Sequence, residues 1–374
     1  EERDNHPIIS VANRGITTLK GIEYFPNLKN LSCSKNPLDK LDVSTLTELT
    51  SLTCMADGLS ELNLYENNKL QRLNCANNQL TSLVVLSDSL TKLDCYVNKL
   101  ETLDLTSVPN LKSLRCDQNS LKSLDLSNNQ NLTSINCTYN NLTSLDLSKN
   151  TSLANVTNAM IGNQSVSLKA NFDGNMIVIP FENSNLDNDN YVSSTLDDYG
   201  DGSGFNFASF IAYDVSEIDG GIEYYCNTKL AGSENMKVSV TVSRDFHQVS
   251  FYADSENTSL IGRAFANDGQ SVTAPEIKNP PQCKVLDTWS DTLDNVTGDK
   301  SIYANWKDAH SYSLSSFSND TATVKCSACG DTFTLSFINA VNSKKGDEKY
   351  SPYLDVTKDG VINAKDYALL NKMK

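Results

Sequence analysis

The amino-acid sequence predicts a mostly β solenoid: a leucine-rich repeat array with a parallel sheet, followed by small all-β modules and a short helical tail. Three observations predict this fold class. A cysteine-centred motif recurs every 20 or 21 residues through the first part of the chain. A later segment, 236–242, places apolar residues at every second position, which is typical of a half-buried strand. The chain ends in an acidic loop pattern followed by apolar residues at helical spacing.

The repeats cover residues 1–165 and form about seven coils of 20–22 residues, each reading approximately L-x-x-L-x-C-x-x-N-x-L-x-x-L-x-L-x-x-N. Each coil is expected to contribute one short strand, paired in parallel with its neighbours at about 4.8 Å. One coil cannot bury its leucines, so stacking creates the core. Polar residues after each strand are expected to bond free backbone groups and form an internal ladder: Asn36, Asp57, Asn78, Asn98, Asn119 and Asn140.

The repeated cysteines form a predicted structural ladder: Cys33, Cys54, Cys75, Cys95, Cys116 and Cys137. In a parallel stack their Cβ atoms lie about one strand spacing apart, whereas a disulfide needs about 3.5–4.5 Å and converging Cβ vectors. We therefore expect reduced thiols that act as small apolar fillers of the core. A metal-binding or redox ladder is the alternative.

A repeat of about 21 residues with cysteine at this position resembles internalin J-like bacterial surface leucine-rich repeat proteins. The resemblance covers residues 1 to about 165. It implies an extracellular, adhesin-like binding protein at the bacterial cell surface, without catalysis.

Partner binding is expected on the concave face of the array, where the non-core strand positions project. Tyrosine and arginine are enriched in binding hot spots. The candidate contact residues are Arg72, Lys92, Tyr96, Arg115 and Tyr139. The partner would be a protein or a glycan; a strand face that is merely soluble is the alternative.

The middle of the chain is predicted to hold two β modules. Residues 166–243 are interpreted as a β cap or adaptor on the open end of the array, since the last coil would otherwise expose a sheet edge. The acidic stretch 186–204 within it is interpreted as a solvated loop. Residues 244–307 resemble the β-grasp repeat of internalin-type proteins, through Val249, Phe251, Trp289 and the Tyr303–Trp306 stretch.

The tail, within 308–374, carries the sharpest chemical motif, LDVTKDGVINAKDYALL. Its oxygen donors stand at positions 1, 3, 5, 7 and 12 of a calcium loop, with Gly360 at position 6 for the turn. The predicted Ca²⁺ ligands are Asp355, Thr357, Asp359, the Val361 carbonyl and Asp366. Aspartate at position twelve resembles a dockerin, which implies docking to a cohesin module. A dockerin has two such loops and this tail has one, so calcium binding that serves only local folding stays open.

Four further cysteines have no assigned state: Cys226, Cys283, Cys326 and Cys329. Zinc needs four ligands, usually as two pairs. Cys326 and Cys329 form one pair, and His310 is the only further candidate near them in sequence, which leaves that set one ligand short. A disulfide, a redox-labile pair and a partial metal site all remain open, and Cys226 could pair with Cys283.

Composition narrows the function classes. The net charge of −15 argues against nucleic acid or anionic membrane as the partner, because both are polyanions. No apolar run approaches the ~18 residues of a membrane span. Hydrolase motifs and phosphate loops are absent from the sequence. The sequence thus favours a non-enzymatic binding protein, with a structural subunit docked through its tail as the alternative.

Overall fold

A computed structural model describes residues 7–153, 159–181, 191–199, 203–206, 209–232 and 235–373. The chain divides into two compact units, an N-terminal unit of residues 1–246 and a C-terminal unit of residues 247–374. Each is described by itself. No helix in the described ranges is both long and apolar enough to cross a membrane.

The N-terminal unit begins with a leucine-rich repeat array. Eight short strands pair in strict chain order into one sheet, and each pair is parallel. The strands are β1 (Ile8–Ser10), β2 (Asn30–Ser32), β3 (Ser51–Thr53), β4 (Arg72–Asn74), β5 (Lys92–Asp94), β6 (Ser113–Arg115), β7 (Ser134–Asn136) and β8 (Ala159–Met160). Short 3₁₀ helices lie at Ile22–Tyr24 and Thr151–Leu153. The expected parallel sheet of repeats is confirmed.

The predicted polar ladder runs through the interior beside the sheet. The Asn78 side-chain amide donates to the carbonyls of Cys54 and Cys75 at 2.8 and 2.9 Å. Its Oδ1 accepts from the backbone N–H groups of Asp57 and Leu59 at 3.1 and 3.0 Å. The side chain therefore pairs backbone groups that the turn leaves without partners. Gln164 closes this ladder, donating to the carbonyl of Cys137 at 2.9 Å.

A second ladder on the far side of each coil was not predicted. Its members are the buried Asn67, Asn129 and Asn150, whose amides donate to carbonyls of the preceding coil. Ser87 takes the same place in the fourth coil, where its hydroxyl donates to the carbonyls of Asn68 and Leu70. The signal was the final asparagine of the repeat motif, which the sequence offers in only some coils.

The rest of this unit is β structure. Two four-stranded sheets have the orders β10-β11-β14-β13 and β12-β15-β16-β9. Their strands are β9 (Gln164–Lys169), β10 (Asn171–Asp173), β11 (Met176–Pro180), β12 (Tyr191–Ser194), β13 (Gly204–Asn206), β14 (Ser209–Ala212), β15 (Ile222–Cys226) and β16 (Met236–Ser243), with 3₁₀ helices at Thr195–Tyr199 and Val215–Glu217.

This β region contacts the last coils of the array. The Tyr224 hydroxyl donates to the Thr143 carbonyl at 2.6 Å, and Leu147 N–H donates to the Thr228 carbonyl at 2.8 Å. The loop expected over 186–204 is wrong in part, because Tyr191–Ser194 pairs with β15 and Gly204 begins a strand. Residues 186–190 and 200–202 of that stretch lie outside the described residues.

The C-terminal unit contains two sheets and two short helices. One sheet has the order β18-β17-β20-β19 with a parallel central pair, and the other is the antiparallel β21-β22-β23. The elements are β17 (Phe246–Tyr252), β18 (Leu260–Asn267), β19 (Lys284–Trp289), β20 (Lys300–Asp308), β21 (Tyr312–Ser318), β22 (Thr321–Cys326), β23 (Thr332–Ser336), α1 (Phe337–Ala340), α2 (Ala364–Leu370) and a 3₁₀ helix at Asn371–Met373.

The tail packs on the three-stranded sheet rather than extending from it. Leu354, Ile362 and Leu370 are fully buried and share one core with Phe317 of β21 and Phe337 of α1. The calcium-loop motif is therefore an integral part of the folded C-terminal unit.

Candidate functional site

The outward face of the parallel sheet carries three rows of side chains, because alternate residues of a strand share a face. The middle leucines point inward and are buried, whereas the first and third residues of each strand face outward. Register pairs Arg72 with Lys92 in one row and Asp94 with Arg115 in the next. Tyr96 and Asp117 follow two residues beyond Asp94 and Arg115. The name "strand face" is used below for these rows over β4–β6.

Arg115 on the strand face contacts both an aromatic ring and a carboxylate. Its guanidinium carbon lies 4.0 Å from the centroid of the Tyr96 ring, and its Nε lies 3.6 Å from Asp117 Oδ1. The Tyr96 hydroxyl in turn lies 3.6 Å from the Met55 sulfur. The Arg115 side chain remains 44% exposed. Arg115 is thus fixed by a ring and a carboxylate while it still faces solvent.

Lys92 is held similarly on the neighbouring strand. Its Nζ lies 3.2 Å from Asp94 Oδ2, and its side chain is 49% exposed. Asp94 and Asp117 themselves are buried, and in each the Oδ1 atom has no hydrogen-bond partner. A buried carboxylate oxygen without a hydrogen bond is costly, although the Oδ2 atom of each residue has a partner, Lys92 for Asp94 and Gln118 for Asp117. Sequence reasoning did not choose either aspartate as a site residue. The signal was an acid two residues after a cation, Asp94 after Lys92 and Asp117 after Arg115.

Two of the candidate contact residues differ from this group. Arg72 is exposed and stands beside Lys92, so it extends the row of cations by one coil. Tyr139 is 59% exposed but occupies the turn position with a left-handed φ of 56°, equivalent to Gln118 in the preceding coil. It therefore lies one residue beyond the row of Tyr96, and the structure does not bring it together with Arg115.

The six ladder cysteines are fully buried and form no disulfide. Burial raises the pKa of Cys75 and Cys137 to about 12, and raises that of the other four as well. A thiol in such a site stays protonated and unreactive. Cys33 also donates toward Asp57 Oδ2 at 3.6 Å, where an aspartate replaces the usual ladder asparagine.

The acidic loop of the tail brings its three carboxylates together. Asp355, Asp359 and Asp366 each place one oxygen within 4.8 Å of the others. Asp355 and Asp366 are buried, at 3% and 0% exposure, whereas Asp359 is exposed. Asp366 also caps α2, with its Oδ2 accepting from Asn363 N–H at 3.0 Å. Loop and helix are thereby joined at one residue.

Backbone groups of the loop converge on Asp355. The N–H groups of Asp359 and Gly360 donate to it at 3.2 and 2.9 Å, and the Tyr350 hydroxyl donates at 2.6 Å. These hydrogen bonds, led by that of Tyr350, lower the pKa of Asp355. The Thr357 hydroxyl lies 2.9 Å from Asp366 Oδ1. Clustered hard oxygens of this kind suit Ca²⁺.

The four remaining cysteines are also free. Cys226 is buried in β15 of the N-terminal unit. Cys283 lies with its sulfur 3.4 Å from that of Cys326, and neither Cys226 nor Cys283 forms a disulfide. The view that Cys326, Cys329 and His310 lack a fourth ligand is wrong, because Cys283 completes the set. It stands 43 residues before Cys326, so sequence proximity offered no signal.

Comparisons with known proteins complete the description. No family model and no curated protein matches the sequence. Among solved structures, the chain is similar to the functional domain of InlJ from Listeria monocytogenes, which includes a cysteine ladder, with 21% identity and a TM-score of 0.32 over 63% of this chain and 69% of that one.

Two other solved structures are similar over 44% of this chain. One is an internalin (inlF) from Listeria monocytogenes, with 20% identity, a TM-score of 0.36 and 57% of that chain covered. The other is the leucine-rich repeat domain of APL1B, with 17% identity, a TM-score of 0.32 and 64% of that chain covered. At these values the similarities identify no function for this chain.

Proposed function

We propose that this protein is a secreted or surface-exposed bacterial binding protein, adhesin-like in role, whose strand face recognises a protein or glycan partner. The observation that carries the proposal is Arg115, held over the Tyr96 ring beside a buried aspartate and still exposed. Arginine and tyrosine dominate the energetics of many interfaces. A side chain already fixed in place loses little entropy when a partner binds.

The chemistry of the strand face favours a partner with anionic groups. Arg72, Lys92 and Arg115 present exposed cations on successive coils. Asp94 and Asp117 pair with Lys92 and Arg115. Both aspartates are buried, so a partner would contact the cations rather than the carboxylates. The Tyr96 ring adds a flat apolar surface. Carboxylate-bearing glycans and acidic protein loops both fit this arrangement.

The test is binding of the full chain to a glycan array that includes uronate and sialylated sugars, and to a panel of purified extracellular matrix proteins. A hit is followed by titration with Arg115→Ala and Tyr96→Ala. Removing a hot-spot side chain costs about 2 kcal/mol or more, so we expect affinity to fall about 30-fold. Lys122→Ala is the matched control, because Lys122 is 75% exposed and pairs with Glu101, away from the strand face.

The proposal fails if neither panel yields a ligand, or if both strand-face variants bind any ligand found as tightly as Lys122→Ala does. Near-ultraviolet circular dichroism of each variant separates loss of binding from loss of fold.

We also propose that the tail binds Ca²⁺ through Asp355, Thr357, Asp359, the Val361 carbonyl and Asp366. Supporting this is the convergence of three carboxylates within 4.8 Å, with two of them buried. Like charges so close repel one another, and a divalent cation would relieve that repulsion. The bound ion would fix the loop against α2 through Asp366.

A second candidate function is assembly through this tail, by docking to a cohesin-type module on a scaffold. The observation that favours it is a set of exposed apolar side chains on and beside α1 and α2: Ile338, Val341, Leu369 and Met373. Deleting the tail would not test this cleanly, because Leu354, Ile362 and Leu370 fill the core of the unit. Point variants are required.

Calorimetric titration of the full chain with Ca²⁺ tests the tail. We expect one binding event that Asp355→Asn/Asp359→Asn abolishes and Asp287→Asn, an exposed change outside the loop, leaves intact. Absence of binding would overturn both tail proposals. With binding established, loss of cohesin capture in Leu369→Asp, without loss of Ca²⁺, would support docking; capture by neither form would refute it.

A further inference from the structure

Four metal-binding side chains of the C-terminal unit converge in a place that the proposed functions do not use. They are Cys283, His310, Cys326 and Cys329, and their ligand atoms all lie within 4.8 Å of one another. The Cys283 and Cys326 sulfurs are 3.4 Å apart, and the Cys329 sulfur lies 3.3 Å from His310 Nδ1. Three thiols and an imidazole thus surround one point.

The four residues come from separate parts of the unit. Cys283 directly precedes β19, and His310 lies between β20 and β21. Cys326 ends β22, and Cys329 lies in the turn before β23. The backbone supports this convergence: Ala309 N–H donates to the Cys283 carbonyl at 2.8 Å, and Ser327 N–H donates to the Ser311 carbonyl at 3.2 Å. The junction between the two sheets of the unit is therefore built around these side chains.

The turn from Cys326 to Gly330 brings Cys326 and Cys329 into one group of ligands. Gly330 closes the turn with a left-handed φ of 78° and donates its N–H to the Cys326 carbonyl at 3.0 Å. Cys326 is itself fully buried.

The distances fit a tetrahedral metal better than a disulfide. A disulfide bond is about 2.05 Å long. Around Zn²⁺, with Zn–S of about 2.3 Å and Zn–N of about 2.0 Å, ligand atoms stand roughly 3.6–3.8 Å apart. The observed 3.4 and 3.3 Å contacts lie near those values. A tetrahedral set of three sulfur ligands and one nitrogen ligand is typical of a structural zinc site.

We propose that Cys283, His310, Cys326 and Cys329 bind one structural Zn²⁺ ion that joins the two sheets of the C-terminal unit. His310 offers Nδ1 to the metal, and its Nε2 lies 3.8 Å from Asp308 Oδ1, which orients the ring. The ring also stacks on Tyr312, with centroids 5.0 Å apart. All four protein ligands are present, so the site has no open position for substrate and its role is structural.

The first experiment measures metal in the full chain, purified without chelator in the presence of zinc and then freed of excess by gel filtration. We expect about one zinc ion per chain, measured by inductively coupled plasma mass spectrometry. Cys329→Ala and His310→Ala should each lose most of it. Cys226→Ala is the matched control and should retain zinc, because Cys226 is buried in β15 and belongs to no metal-binding group among the described residues.

A second measurement uses the unsubstituted protein, so its result does not depend on whether a variant folds. Cys329 is exposed, and a free thiol there would react at once with a maleimide. With zinc bound, alkylation of Cys283 and Cys329 should be slow and should accelerate on adding a chelator. The ladder cysteines should stay unlabelled under both conditions, because they are buried.

Three results would overturn the proposal. One is a disulfide among Cys283, Cys326 and Cys329 in protein purified with zinc and alkylated before unfolding. Another is zinc content that the Cys329→Ala and His310→Ala substitutions leave unchanged. The third is iron in place of zinc.

Discussion

Replacing Asn78 by alanine tests whether the asparagine ladder stabilises the repeat array. The substitution removes four short hydrogen bonds, of 2.8 and 2.9 Å to the carbonyls of Cys54 and Cys75 and of 3.1 and 3.0 Å from the N–H groups of Asp57 and Leu59. It also removes a longer one, of 3.3 Å to the Ala76 carbonyl. Asn78 is 8% exposed, so water reaches these backbone groups poorly. The Cys54 carbonyl and the N–H groups of Asp57 and Leu59 would then lose this partner together, whereas the Cys75 carbonyl still accepts from the Asn98 amide at 3.2 Å.

The expected loss follows from those bonds. At about 1 kcal/mol for each of the four short bonds, the free energy of unfolding falls by about 4 kcal/mol. For a unit of this size, 1 kcal/mol shifts the melting temperature by roughly 2–4 °C, so we expect a shift of about 10 °C. Asn68→Ala is the control: that side chain is exposed, and a surface change of this kind alters stability by about 0.5 kcal/mol or less.

The assay can distinguish the two units because both tryptophans, Trp289 and Trp306, lie in the C-terminal unit. Tryptophan fluorescence therefore follows unfolding of that unit alone, whereas far-ultraviolet circular dichroism follows both. Asn78→Ala should move a dichroism transition and leave the fluorescence transition in place. A loss below about 1 kcal/mol, or a fluorescence transition that moves equally, would refute the reasoning.

Three further predictions concern single positions. Burial raises the pKa of Asp57, so the stability contributed by its protonated form is complete below the unfolded pKa and is lost as pH rises through the folded pKa. Asp57→Asn should therefore stabilise the array by about 1 kcal/mol at pH 7 in urea unfolding, and a larger gain at pH 3 would contradict this. Cys75→Ser should lower the free energy of unfolding by about 1–2 kcal/mol more than Cys75→Ala does in the same assay, because a buried hydroxyl there lacks a partner. Equal losses in the two variants would argue against a packing role for the thiol. Gly360 has a φ of 83°, so Gly360→Ala should lower the free energy of unfolding by about 1 kcal/mol and weaken the proposed Ca²⁺ binding in calorimetry. Unchanged affinity would show that the conformation of this turn does not limit Ca²⁺ binding.

Local patterns explain why the array was predictable. The spacing of Cys33, Cys54 and the following ladder cysteines places equivalent residues in successive coils, and equivalent residues can stack in only one register. The Asn78 ladder follows from the same repetition. The loop from Asp355 to Asp366 was similarly visible, because its twelve positions are contiguous in the chain.

Features that depend on distant parts of the chain were missed. A loop was predicted where Tyr191–Ser194 forms a strand, because its partner β15 lies about thirty residues further on and acidic composition favoured a loop. The burial of Asp94 and Asp117 depends on how neighbouring coils pack around them, which a strand pattern does not express. Tyr139 was grouped with Tyr96, although Tyr96 directly follows its ladder cysteine, Cys95, and Tyr139 stands two residues after Cys137.

The sequence by itself determined the repeat array and predicted its reduced cysteine ladder. It also determined the spacing of the oxygen-bearing residues from Asp355 to Asp366, since each feature depends on spacing within one coil or one loop. Only the tertiary structure decided that Arg115 is held over Tyr96 and that Cys283 meets His310, Cys326 and Cys329. The physical reason is that these contacts join side chains from different strands and turns. Their separation along the chain says nothing of their distance in space until the sheets have formed.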